Sequence, residues 1–240
     1  MSKPGLISFR RTDILANHIE QSTKDIADHF KSRRLYVPQF CRLIKVSKRW
    51  TTENLETELN KWESMFSRIN GTSKIIKMVK ESFGKCESNQ EITDLRGAMV
   101  EALVIACNGG SKILSNRSYG WGAKVDIHPL GEEIIRVRLF CSENICDDCK
   151  DRKTVDFGFW DGYHGKFYEC KVQPVGIGCK EIKYMQKLKE KLNQQQISHE
   201  IFFVCAESRD EVKIKLESLE LSTVFYKPVG VEDIQDMMSA

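Results

Sequence analysis

Apolar positions along the first 90 residues recur mostly at helical spacing. In 12–33, Ile14, Ile19, Ile26 and Phe30 mark one face of a helix that Thr12 or Asp13 is placed to cap. Residues 34–50, RLYVPQFCRLIKVSKRW, read as more β-like, with Pro38 breaking any long regular element. A second helix is expected over 52–69, where Leu55, Leu59, Trp62, Met65 and Phe66 form an apolar side. Asn70-Gly71 stops it, and a shorter helix over 72–83 carries Ile75, Ile76, Val79 and Phe83.

The pattern changes from residue 92. Residues 93–107, TDLRGAMVEALVIAC, predict a strongly apolar helix ending at Asn108-Gly109-Gly110, and 113–124 read as loop. Short strands are expected at 124–128 and 134–140, followed by a cysteine-bearing loop over 141–153. A hairpin comes next, with strands 154–160 and 166–173 about the turn Asp161-Gly162-Tyr163-His164-Gly165. Helix 180–193, strand 200–205, helix 209–219 and a short strand near 222–226 complete the series. This order predicts an α/β fold in which a mixed sheet is flanked by helices. Residues 1–90 are expected to form a mainly helical, basic extension, and 91–240 the core.

Composition narrows the class. With 41% hydrophobic and 30% charged residues, a disordered chain is excluded. No apolar run approaches the roughly 18 residues of a membrane helix, and MSKPGLISFRRTD lacks a secretion-signal core, so a cytoplasmic, non-membrane protein is expected. The net charge of +3 is uneven: residues 1–90 carry 17 Lys/Arg against 10 Asp/Glu, and residues 91–240 carry 20 against 24. A basic part beside an acidic one suits a polyanion held over an acidic, metal-binding site. Arg10, Arg11, Arg33, Arg34, Arg42, Lys45, Lys48 and Arg49 are the candidate phosphate contacts.

The nine cysteines are odd in number and the chain is long enough for a core, so a disulfide framework is the poorer reading. Cys141, Cys146 and Cys149 form C-x4-C-x2-C, a candidate structural zinc site whose competing reading is free thiols in a surface loop.

The hairpin carries the chemistry. Glu169 and Lys171 lie two apart on one strand and so share a face, while Asp156 on the preceding strand folds back beside them. Carboxylate oxygens are hard ligands for Mg²⁺ (with Mn²⁺ as a substitute), which lowers the pKa of a bound water and neutralises charge on a phosphorane. Lys171 is placed to orient or deprotonate that water, or to stabilise the transition state. Asp126 is a competing carboxylate on the strand at 124–128, and His164 reads as a surface turn histidine.

Asp156 followed thirteen residues later by Glu169-Cys170-Lys171 resembles the PD-(D/E)xK nuclease superfamily, with Val155 in place of the named proline. The likeness covers about residues 93–220. It implies a restriction-endonuclease-like mixed sheet, metal ligation by Asp156 and Glu169, and a further acidic ligand from the preceding helix, which Glu101 fits. It also implies a supporting polar residue on the following helix, Gln186, with Lys183 and Lys180 as phosphate contacts. A Mg²⁺-dependent DNA endonuclease of restriction or antiviral defence type is the expectation, with RNA as the alternative substrate and a homodimer or partner subunit as the expected assembly. The alternatives are a catalytically inactive nucleic-acid-binding protein of the same fold and a zinc-stabilised interaction protein.

Overall fold

A computed structural model describes residues 6–139 and 152–238. The elements run β1 Leu6–Arg11, α1 Asn17–Phe30, α2 Val37–Val46, α3 Leu55–Phe66, α4 Ser73–Phe83, α5 Asn89–Cys107, β2 Tyr119–His128 and β3 Ile135–Arg136. They continue with β4 Val155–Trp160, β5 His164–Lys171, α6 Cys179–Gln194, β6 Ser198–Cys205, α7 Arg209–Ser218, β7 Tyr226–Val229 and α8 Val231–Met237. The protein is α/β, with a seven-stranded sheet in the order β1-β2-β4-β5-β6-β7 and β3 paired to β2.

Two compact units divide the chain, and they are interleaved. A sheet unit comprises Met1–Ile14, Leu114–Val204 and Asp210–Pro228, and a helical unit comprises Leu15–Ile113, Cys205–Arg209 and Val229–Ala240. The expected division at residue 90 is therefore not where the structure divides. β1 belongs to the sheet because all six of its residues pair with β2, from Leu6 opposite His128 to Arg11 opposite Ala123. The apolar helix α5 belongs to the helical unit. Ser88 caps it by accepting from the Glu91 N–H, so it starts at Asn89, four residues before the expected 93. Ten of its residues are buried, as expected of a helix apolar on nearly every side.

The stretch 34–50 is helical where strand was expected. Pro38 sits in the first turn of α2, where its missing N–H has no helical partner to lose. Val37, Phe40, Cys41 and Ile44 then fall on one buried face at three- and four-residue spacing. Thr12 and Asp13 do not cap a helix; their N–H groups both donate to the Gly122 carbonyl, at 3.0 and 3.1 Å, and α1 begins only at Asn17.

Residues 119–122, expected as loop, are the first part of β2. Gly120 is a packing requirement: a Cβ on it, or on Gly158 opposite it on β4, would sit 2.6 or 2.3 Å from the Phe9 ring, which lies across both backbones. The hairpin of β4 and β5 forms as expected, with Phe157 opposite Tyr168 and Gly158 opposite Phe167. That register sets Asp156 level with Glu169.

Candidate active site

Six side chains of the sheet unit meet at the open end of this hairpin, and a further pair stands at its rim. Asp156, partly exposed on β4, accepts from the Cys170 backbone N–H at 2.7 Å through Oδ2. Its other oxygen accepts from Arg152 Nη2 at 3.1 Å. The same Nη2 donates to Glu169 Oε2 at 2.5 Å, and Lys171 Nζ donates to Glu169 Oε1 at 2.7 Å. Glu169 is fully buried. Glu181, in the first turn of α6, accepts the Gly178 N–H at 3.1 Å with Oε2, and its Oε1 lies 3.3 Å from both Arg152 Nη1 and Lys171 Nζ. Tyr184, one turn along α6, is fully buried with a hydroxyl that has no partner among the described residues. At the rim, Thr154 Oγ1 donates to Asp13 Oδ2 at 3.1 Å.

The electrostatics follow from crowding carboxylates in a poorly solvated place. Burial and then the charge of Asp156 push the Glu169 carboxyl up to about 7, against the opposing pull of Lys171 and Arg152. Asp13 is likewise raised, by burial and by Asp156. Burial alone would lower Lys171 and Arg152, but Glu169 and Asp156 more than offset it and both cations are held above their ordinary values. Tyr184 is raised by burial, so it stays a neutral phenol and a donor.

Of the expected site residues, Asp156, Glu169 and Lys171 converge. Glu101 lies half-buried in the middle of α5, in the helical unit rather than in the sheet unit that carries these three. Gln186 is exposed; it lies two residues beyond Tyr184 and five beyond Glu181, on a different side of α6 from the one those residues present to the site. Asp126 is occupied elsewhere, with Arg10 at 3.4 Å. His164 opens β5 instead of standing free on the turn, with Nδ1 at 2.8 Å from Ser198 Oγ and Nε2 at 3.2 Å from Glu200. Cys141, Cys146 and Cys149 lie outside the described residues. Among the N-terminal phosphate candidates, Lys45 is paired with Glu207 at 2.5 Å.

Sequence reasoning missed Arg152, Glu181, Tyr184 and Asp13. Glu181 had a signal, since it stands three residues after Gly178 at the position of a helix-capping carboxylate. Tyr184 follows it by one turn on an otherwise apolar face. Arg152 and Asp13 had none, because only the fold brings positions 13, 152 and 156 together.

Among the described residues, no three His, Cys, Asp or Glu side chains are grouped to hold a metal ion by protein ligands alone. Two carboxylates are nonetheless a fit for magnesium, which keeps several waters and is commonly held by one or two carboxylates and substrate oxygens. The fit rests on Arg152, whose Nη2 is a cationic atom already seated between an oxygen of Asp156 and an oxygen of Glu169.

No family model matches the chain, and no curated protein matches it. Among solved structures, protein VC1899 from Vibrio cholerae aligns with 95% of this chain and 56% of its own, at 12% identity and a TM-score of 0.45. The chain thus spans little more than half of that protein, and a likeness of this depth assigns neither family nor activity.

Proposed function

We propose that the sheet unit is a metal-dependent phosphodiesterase centre, and that the protein is a Mg²⁺-dependent nuclease acting on DNA. One observation carries the reading: a single cationic nitrogen contacts both Asp156 and Glu169, 3.1 and 2.5 Å away, with Lys171 on the other oxygen of Glu169. A bound divalent cation supplies an activated water and neutralises charge on the phosphorus oxygens. Asp156 is aimed by the Cys170 N–H, and Glu169 by Lys171, so both carboxylates stay oriented when Arg152 gives way to a cation. Lys171, held above its ordinary value, acts as a fixed positive charge for the transition state rather than as a general base. Tyr184 offers a neutral hydroxyl donor to the same space. The restriction or defence setting and a homodimer or partner subunit are carried by the resemblance of Asp156, Glu169 and Lys171 to the PD-(D/E)xK pattern, and a cytoplasmic location by the lack of a secretion-signal core or long apolar run in the sequence. No helix among the described residues is long and apolar enough to cross a membrane.

A second reading has its own observation. Arg152 already neutralises the carboxylates and retains Glu181 as a further partner, which is the arrangement a catalytically inactive nucleic-acid-binding relative would keep. Cleavage separates the two. DNA and RNA of varied form are incubated with Mg²⁺, Mn²⁺ or EDTA and with wild-type, Glu169→Ala and Lys171→Ala proteins. The nuclease reading expects cleavage with either metal, none in EDTA, and losses of at least about 100-fold in both variants. Cleavage unaffected by both substitutions would sink the assignment, and no cleavage by the wild type under any condition would favour the inactive relative.

A further inference from the structure

The sheet unit holds a second charged constellation, separate in its contacts from the carboxylate cluster. In the β1–β2 register Arg10 is directly opposite Lys124, and Ser8 is opposite Asp126. On the other side of β2, Asp126 is opposite Arg136, and the Val137 N–H donates to the Val125 carbonyl at 3.3 Å. That bond carries the pairing on and sets Arg138 level with Lys124. Three cations, Arg10 on β1, Lys124 on β2 and Arg138 two residues beyond β3, therefore stand abreast. With strands about 4.8 Å apart, the row is about 10 Å wide. Lys153, exposed just before β4, also acts on Lys124. Asp126 is the one carboxylate among the described residues seen to engage this group, pairing with Arg10 at 3.4 Å.

Like charges directly opposite one another on neighbouring strands oppose sheet formation. The Lys124 ammonium is held below its ordinary value first by desolvation and then by Lys153, Arg10 and Arg138, with Asp126 opposing. A row kept against this repulsion is a built anion platform, in which each cation is relieved when a phosphate approaches.

We infer that Arg10, Lys124, Arg138 and Lys153 form a binding surface for the sugar-phosphate backbone of a nucleic acid. The choice of nucleic acid over other polyanions rests on the phosphodiesterase reading above; the platform itself rests on the strand register. Duplex DNA carries one charge per about 1.7 Å of axis, so a platform about 10 Å wide meets several phosphates at once, and its contacts confer affinity without base specificity. Residues 124, 138 and 153 come from the half of the sequence with net negative charge, so the basic surface of this unit is assembled by pairing and not by a basic run.

The test is binding of a short labelled duplex in EDTA, followed by fluorescence anisotropy over a salt series. The proteins are wild type, the platform variant Lys124→Gln/Arg138→Gln/Lys153→Gln, and a control, Lys61→Gln/Lys77→Gln, whose lysines are exposed on α3 and α4. The platform variant is expected to bind at least roughly tenfold more weakly, with the slope of log K against log salt reduced by about three, one per cation removed. It is also expected to melt no lower than wild type, because like-charge repulsion is relieved. The control is expected to bind as wild type does. An unchanged affinity and slope in the platform variant overturns the inference even if metal-dependent cleavage is found. A loss in the platform variant alone upholds it even if no cleavage is found. Equal, platform-dependent binding to polyglutamate overturns the choice of nucleic acid.

Discussion

Arg152 is the side chain on which the site turns. It is 14% exposed and bonds three carboxylates, Asp156, Glu169 and Glu181. Removing one partner from a buried ion network costs about 3 kcal/mol, because the others are left uncompensated. Arg152→Ala should therefore lower the thermal midpoint, and Mg²⁺ should recover more of that loss than it adds to wild type, since the vacated position suits a cation. Denaturation with and without the metal checks both parts; a variant as stable as wild type and indifferent to Mg²⁺ would contradict this account of the cluster. A second residue-scale prediction concerns His29 on α1, which is 4% exposed and bonded to Tyr36 at 2.6 Å. Burial, then Arg33 and Lys74, lower its imidazole from 6.5 to about 4. Between those values the unfolded chain binds a proton that the folded chain does not, so stability is complete above about pH 6.5 and falls as pH drops toward 4. The loss attributable to His29 is up to about 3 kcal/mol, and the pH dependence of urea midpoints for wild type and His29→Phe measures it. A His29→Phe curve parallel to wild type over that window would contradict the assignment.

The elements that define the sheet depend on close approach more than on strand propensity. Phe9 lies across Gly120 and Gly158, with a Gly158 Cβ only 2.3 Å from its ring. Gly158→Ala is expected to cost about 1–3 kcal/mol, as overpacking does, and Phe9→Ala in the same protein should return part of it, a coupling that a double-mutant cycle reads directly. Additive losses would contradict the packing described. This contact also explains what was and was not legible. Alternation and a turn sequence were enough to place β4 and β5, and with them Asp156, Glu169 and Lys171. Gly120 of β2 mimicked a loop because the Phe9 side chain that requires it lies more than 100 residues away in β1. Residues 34–50 misled for a related reason: Pro38 looks like a breaker until its place in the first turn is known. Arg152 and Asp13 enter the site through strand order, which no local pattern encodes.

At the scale of the whole molecule, sequence halves and structural units do not coincide. The sheet unit takes its edge strand from Leu6–Arg11, and the helical unit takes residues 229–240 from the end of the chain. A fragment of residues 91–240 removes β1 from β2 and strips α5 of α1–α4, and it is expected to lose cooperative thermal unfolding; a sharp transition near that of the full chain would contradict the interleaved division. The same interleaving reassigns the charge. The basic excess of the first 90 residues suggested a separate nucleic-acid arm, yet the row of cations in the sheet unit joins Arg10 to Lys124, Arg138 and Lys153. The central claim is that the Asp156–Glu169 pair is a divalent-cation position. Calorimetric titration of Mn²⁺ into wild type and Asp156→Asn tests it most directly. The account predicts saturable binding to wild type that weakens at least roughly tenfold on loss of one charged ligand; equal binding by the two proteins, or none by wild type, would contradict it.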